Sequence, residues 1–249
     1  MALYACSDIH GQYGLFQKML DGISFSDRDT LFIVGDIIDR GPDSIPMLQE
    51  IMDRKNMICL MGNHELMMLT EYLYPQKESY WLNGSNGGIV TKEAFEQLPY
   101  GEQFRILKFI SGMYLQYDVV SGDVRYLLSH SDFLPDKTTV AFPDLNYDIV
   151  FEAVWNSPWR FWEHVPASKY KRDGRIHVIG HVPVQYIREN RYPDQAYILE
   201  EDHIINIDLG CAAMGRRDGY DDEKALCCMN LSAYGQGAGT EAFTYYRNN

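Results

Sequence analysis

The sequence predicts an α/β fold in which a βαβαβ unit leads into a β-rich second half, giving two packed sheets with helices outside. Three observations lead there. Residues 31–34 and 57–61 are short, wholly apolar runs of the kind found in strands buried on both faces. Segments with helical spacing of apolar residues lie between such runs. Each run opens onto a polar cluster, and these clusters recur 28 residues apart from Asp8 to Asp36 and 27 apart from Asp36 to Asn63, about one βαβ unit each.

Taken in order, residues 3–7 form a strand that leads to Asp8, Ile9, His10 and Gly11. Leu15, Phe16, Met19, Leu20 and Ile23 then mark one face of a helix. The strand at 31–34 ends in Gly35, followed by Asp36, Asp39, Arg40 and Gly41. Pro42 and Pro46 suit the approach and first turn of a helix that turns Leu48, Ile51 and Met52 inward. The strand at 57–61 ends in Gly62, Asn63, His64 and Glu65, with helix over 65–74. Strand, helix, strand, helix, strand implies right-handed crossovers and a parallel sheet.

Residues 80–91 are rich in glycine and asparagine and read as a loop leading to a helix, with another helix over 103–113. Strands at 115–120 and 124–129 join through the Ser121-Gly122-Asp123 turn. Helix returns over 145–155, and 169–175 reads as a solvated basic loop. Strands are expected at 177–179, 196–199, 204–207, 226–231 and 243–245. No repeat or low-complexity tract interrupts the chain, so residues 1–249 are expected to form a single domain.

A net charge of -13 argues against a duplex nucleic-acid binder, which needs a basic face. Anionic substrates stay open, because bound cations invert the local field. No apolar run reaches the ~20 residues of a membrane span. The first ten residues lack the basic start of a secretory signal, and five cysteines without a small-domain framework read as reduced core thiols. The expectation is a cytoplasmic protein with no membrane or nucleic-acid partner.

Five strand ends carry chemistry. Parallel register gathers Asp8 with His10, Asp36 with Asp39 and Arg40, and Asn63 with His64 at one carboxyl edge, where open α/β sheets bind ligands. Two later strands also end in histidine, at His130 and His181. Imidazoles suit first-row transition metals and carboxylates can bridge two of them. Asp8, His10, Asp36, Asn63, His130 and His181 supply six candidates, more than a single zinc needs. Tyr80, Trp81, Trp155, Trp159, Phe161 and Trp162 read as a satellite hydrophobic core near that edge.

Asp8-Ile-His10-Gly11, Gly35-Asp36-Ile-Ile-Asp39-Arg40-Gly41 and Gly62-Asn63-His64-Glu65, followed by isolated histidines, resemble the phosphoprotein phosphatase family of metallophosphoesterases, and within it the small bacterial and phage branch. His130-Ser-Asp132-Phe, Val154-Trp155-Asn156, Gly180-His181-Val-Pro183 and Ile207-Asp208-Leu-Gly210 extend the resemblance in order. It implies the calcineurin-like metallophosphoesterase fold, a two-sheet β-sandwich flanked by helices, and a binuclear centre. Asp8, His10 and Asp36 would hold one metal ion, and Asp36, Asn63, His130 and His181 the other. Both ions are divalent or trivalent, with manganese expected first and iron or zinc as alternatives.

The resemblance implies hydrolysis by a hydroxide shared between the two metals, attacking phosphorus in line without a phosphoenzyme. His64 is the expected general acid and Asp39 its orienting carboxylate. Arg40 and Asn63 are expected to bind the substrate phosphate, Arg40 through its planar fork. Glu65, Asp132 and Asp208 are expected to support ligands or turns. Relatives carry a second phosphate-binding arginine just after the Trp-Asn pair; here Ser157, Pro158 and Trp159 intervene, and either Arg160 takes that role or the second clamp is absent.

The expected activity is a serine/threonine protein phosphatase acting on phosphorylated proteins or peptides, with phosphotyrosine and small aryl phosphates as further substrates. The alternative is hydrolysis of dinucleoside polyphosphates of the diadenosine tetraphosphate type, by a sister branch that generally lacks the Asp39 equivalent. A catalytically dead module that binds phosphorylated partners is disfavoured, since none of the matched metal-binding or acid positions is missing.

Overall fold

The computed structural model describes residues 1–134, 136–157, 159–160, 163–164, 174–187, 195–199, 203–213 and 224–247. The first half runs β1 (Leu3–Cys6), α1 (Tyr13–Gly22), β2 (Thr30–Ile33), α2 (Ser44–Asp53), β3 (Met57–Cys59) and α3 (Asn63–Leu73). Helices α4 (Gly88–Glu96) and α5 (Tyr100–Ser111) then lead to the hairpin β4 (Tyr114–Ser121) and β5 (Val124–Ser129). After β6 (Val140–Ala141) come α6 (Tyr147–Trp155), a small ribbon of β7 (Trp159–Arg160) and β8 (Glu163–His164), β9 (Ile176–Ile179) and α7 (Val184–Ile187). The chain closes with β10 (Tyr197–Leu199), β11 (Ile204–Asn206), β12 (Asp208–Leu209), β13 (Ala225–Asn230), α8 (Leu231–Gly235) and β14 (Phe243–Tyr246).

The strands form two mixed six-stranded sheets. One is ordered β12-β13-β1-β2-β3, with β14 added on β13; the other is β10-β11-β9-β5-β4-β6. In the first, β1, β2 and β3 are parallel, so Cys6, Ile33 and Cys59 end level with one another. In the second, β5, β9 and β11 are parallel. The carboxyl ends of both parallel sets open onto one rim.

Burial on both faces explains the continuous apolar runs. Leu31 and Ile33 of β2 pack toward α1, α2 and α3, against residues such as Phe16, Leu48 and Leu69. Phe32 and the adjoining Val34 point the other way, into the space between the sheets with Tyr126, Val178 and Ile205. Strand β13 alternates in the same manner, with Cys228 toward the helices and Cys227 toward the opposite sheet. All five cysteines are buried and free. Among the described residues no helix is long and apolar enough to cross a membrane.

Departures from expectation have local causes. The 80–91 loop is shorter than its composition indicates, because α4 already starts at Gly88. Residues 60 and 61 leave β3 as a strand end that bridges to Tyr114, with the Met61 N–H donating to the Tyr114 carbonyl at 2.7 Å, so they link the sheets. Arg175 is not solvated: it is buried, and its guanidinium reaches the Lys137 carbonyl at 3.2 Å and Asp118 at 3.5 Å. The rest of the expected basic loop, 169–173, lies outside the described residues. Strands β6, β7, β8 and β12 span two residues each, too short for periodicity to reveal.

Because β2 is buried on both sides, truncation on either face should be costly. Ile33→Ala is expected to lose about 2–5 kcal/mol and Phe32→Ala about 3–5 kcal/mol of unfolding free energy. The exposed Val120→Ala should change it by no more than about 0.5 kcal/mol. Urea unfolding midpoints check this, and unshifted midpoints for the β2 variants would contradict the two-core arrangement.

Candidate metal centre

The rim is built from backbone that ordinary residues avoid. Asp8, His10, Asp36, Asp39, Arg40 and His181 all have positive φ, between 49° and 76°. Each such residue costs of order 1–3 kcal/mol and persists only where its surroundings fix it. Here the loops after β1 and β2 brace one another: His10 N–H donates to Asp36 O at 2.9 Å, Gly11 N–H to Ile37 O at 2.8 Å, and Gly41 N–H to His10 O at 3.0 Å. Gly35 must be glycine, having φ +79° and a missing Cβ that would lie 2.5 Å from His130 Nδ1.

Glu65 ties the β2 loop to the β3 loop. Its fully buried carboxylate accepts the backbone N–H groups of Asp36 and Ile37 at 2.8 Å each, Ile38 at 3.3 Å and Gly62 at 3.0 Å. Expected as a supporting residue, Glu65 thus fixes the main chain of Asp36. Burial and the neighbouring Asp36 carboxylate push its pKa up to about 7, against the pull of those N–H donors.

Four imidazoles surround the Asp36 carboxylate. His10 donates Nδ1–H to the Ile38 carbonyl at 2.9 Å, and His130 donates Nδ1–H to the Val34 carbonyl at 3.0 Å. With those protons committed, each ring turns its Nε2 lone pair inward. His10 Nε2 lies 3.4 Å from Asp36 Oδ2, and His130 Nε2 lies 3.4 Å from Asp36 Oδ1. His64 Nε2 is 3.7 Å from Asp36 Oδ2, while its Nδ1–H donates to Asp39 Oδ2 at 2.6 Å. Asn63 Oδ1 sits 3.0 Å from both His130 Nε2 and His181 Nδ1.

Burial pushes the pKa of His10, His130 and His181 down, that of His181 to about 3, so these rings are neutral near pH 7. Neutral lone pairs facing a carboxylate repel it unless a cation lies between them. The donor set also sorts itself: His10, Asp36 and His64 offer ligand atoms within 4.8 Å of one another, as do Asp36, His130 and His181. Asp36 belongs to both groups, one oxygen toward each, as a bridging ligand would. The residues therefore fit a pair of metal ions.

Asp8 stands just behind. Both its oxygens accept the His181 N–H, at 3.1 and 3.0 Å, and it falls in neither of the two groups found among the described residues. Burial, then the Asp208 and Asp36 carboxylates, push its pKa well up; burial likewise takes Asp208 to about 7. Buried carboxylates crowded in this way call for cationic charge, which divalent ions supply. Arg40 closes the mouth: Nη1 lies 2.9 Å from His10 Nε2 and Nη2 3.2 Å from His64 Nε2. Arg160 lies on β7 with its side chain outside the described residues.

Three partners of Asp39 go beyond the sequence-based expectation. The fully buried Trp81 donates Nε1–H to Asp39 Oδ2 at 2.8 Å, and the Asp39 N–H is 3.0 Å from both Ser44 Oγ and Thr91 Oγ1. Trp81 is thus core, as expected, but core with a hydrogen bond into the site. Only the placement of an indole in a glycine- and asparagine-rich stretch hinted at it. Tyr80 is exposed instead, and Trp155 packs edge-on to His181 at 6.0 Å. Trp159, Phe161 and Trp162 have side chains outside the described residues.

Comparison with known proteins agrees with this chemistry. Residues 1–209 match the calcineurin-like phosphoesterases. A symmetrical bis(5'-nucleosyl)-tetraphosphatase of Wigglesworthia glossinidia brevipalpis is 43% identical over 74 residues, which is 29% of this chain and 27% of that protein. The enzyme of the same name from Buchnera aphidicola is 27% identical over 173 residues, covering 65% and 60%. Serine/threonine-protein phosphatase 2 of Escherichia coli is 32% identical over 136 residues, covering 53% and 58%. The chain therefore spans between about a quarter and three fifths of these relatives.

Two solved structures share the fold, each with a TM-score of 0.59. One, described as a candidate diadenosine tetraphosphatase, is 16% identical, with 99% of this chain and 94% of that chain covered. The other, a protein serine/threonine phosphatase of Saccharomyces cerevisiae, is 13% identical, with 100% and 80% covered. With its two mixed sheets, flanking helices and paired histidine–aspartate groups at one rim, this chain belongs to the calcineurin-like phosphoesterase family, hydrolases built around a binuclear metal centre.

Proposed function

We propose that this hydrolase cleaves phosphomonoesters of serine and threonine in proteins, with phosphotyrosine and small aryl phosphates as further substrates. Asp8, His10 and Asp36 would hold one metal ion, and Asp36, Asn63, His130 and His181 the other. Manganese is the ion proposed first; iron and zinc also suit a nitrogen and oxygen donor set. Bound there, the ions polarise the phosphoryl oxygens and acidify water to near-neutral pKa. Free, buried cysteines are in keeping with a reducing cytoplasm.

The chain's own residues do the rest. Arg40 exchanges its contacts with His10 and His64 for two phosphate oxygens, a bidentate grip that suits a planar fork. Asn63 assists from the β3 loop. His64 keeps its Nδ1 proton on Asp39, so that its Nε2 faces the rim and can hand a proton to the departing oxygen. Asp39 fixes that tautomer and stabilises the imidazolium from which the proton leaves.

The observation that carries this reading is the buried pair of Asp39 and His64, 2.6 Å apart. An alkoxide leaving from phosphoserine is strongly basic and gains greatly from a general acid. The nucleotide leaving from a dinucleoside polyphosphate is a far weaker base and gains little. The names of the Wigglesworthia and Buchnera relatives support the second reading, symmetrical hydrolysis of dinucleoside tetraphosphates. That of the Escherichia coli relative supports the first, so by name the relatives favour the second reading over the first.

Turnover of a phosphothreonine peptide measured beside diadenosine tetraphosphate separates the two. Faster hydrolysis of the peptide is expected; exclusive cleavage of the dinucleotide would replace the first reading with the second. Asp39→Asn is expected to retain both metals by elemental analysis while kcat for the peptide falls by about 10²-fold or more. A drop in metal content instead would make Asp39 a ligand and undo this division of roles.

A further inference from the structure

The Asp39–His64 pair has a third member. Asp39 is wholly buried, and its Oδ2 receives two donors, His64 Nδ1–H at 2.6 Å and the indole Nε1–H of Trp81 at 2.8 Å. Its other oxygen has no hydrogen-bond partner among the described residues. The orientation of this carboxylate toward His64 is therefore set from one side by the indole.

Trp81 is itself held from several directions. It is fully buried and meets the Tyr72 ring edge-on at 5.9 Å between centroids. Gly88, the first residue of α4, lies so close that a Cβ there would stand 2.5 Å from the indole Cδ1 and 2.6 Å from Nε1. The segment from Trp81 to α4 also grips the main chain beside the pair. Gly87 O accepts the Arg40 N–H at 3.3 Å and Thr91 Oγ1 accepts the Asp39 N–H at 3.0 Å. Asp39 and Arg40 both have left-handed backbone, with φ of 76° and 65°, so they need such pinning.

We propose that Trp81 is a positioning residue for proton donation: its indole N–H aims the Asp39 carboxylate, which holds the His64 ring with Nε2 toward the leaving oxygen. This rests on the assignment of His64 as general acid made above. A hydrogen bond to a carboxylate is worth enough for its loss to cost about tenfold in a step that depends on it. The cost should fall on substrates whose leaving group needs a proton, and much less on those whose leaving group does not.

The test is a leaving-group series from 2,4-dinitrophenyl phosphate through phenyl phosphate to an alkyl phosphate. It is run on the manganese-reconstituted wild type, Trp81→Phe and His64→Asn, with metal content and melting temperature measured for each. Replacement of Trp81 by 3-benzothienylalanine removes only the N–H and guards against a packing defect. The expected result is a loss in kcat/KM of about tenfold on alkyl phosphate, shrinking steadily toward dinitrophenyl phosphate, in both Trp81 variants with unaltered metal content. His64→Asn should show the same trend more steeply.

An equal loss on every substrate, or none in the benzothienyl variant, would reduce Trp81 to packing and overturn the inference while leaving His64 as the acid. Lack of any leaving-group dependence in His64→Asn would remove the acid assignment, and the inference with it.

Discussion

One buried carboxylate anchors the site. Glu65 carries no obvious catalytic part, yet its two oxygens collect backbone N–H groups from Asp36, Ile37, Ile38 and Gly62. A typical hydrogen bond contributes about 0.5–1.5 kcal/mol net, so the four together offset the strain of about 1–3 kcal/mol at the left-handed Asp36. Two parallel strands would in any case deliver their ends to one rim. Glu65 converts that nearness into a fixed geometry, with the Asp36 carboxylate held at the centre.

From that centre the remaining groups sort by where their second nitrogen is anchored. His10 and His130 are anchored on backbone carbonyls, which leaves a neutral ring with a lone pair for a cation. His64 is anchored instead on the Asp39 carboxylate, the arrangement the proposed proton donor needs. In the proposed mechanism the same residue type takes two roles in one site, and the anchoring atom distinguishes them. His64 Nε2 also lies within reach of His10 and Asp36, so geometry alone groups it with them. Its Asp39 partner is what sets it apart.

Much of this was legible in the sequence. Continuous apolar runs gave away strands buried on both faces, and their regular spacing brought Asp8, Asp36 and Asn63 to one edge. His130 and His181 were visible because each follows directly on an apolar strand. What escaped had no periodic signal: two-residue strands, and the buried Arg175, whose neighbours in sequence are basic and polar. Trp81 escaped for a different reason. An indole in a loop reads as packing, and its N–H partner lies 42 residues away in sequence. Nor does sequence reveal that Asp8 bonds the His181 main chain, since that contact depends on how the two sheets meet.

Lone pairs converge on Asp36 from two sides, the arrangement that two cations would account for. The most direct measurement is the number and coupling of metal ions in the purified protein after reconstitution with manganese, by elemental analysis and electron paramagnetic resonance. Two ions per chain with a spin-coupled spectrum is the predicted result. A single uncoupled ion, or none retained, would contradict a paired centre and leave the convergence of His10, His130 and His181 on Asp36 without its cause.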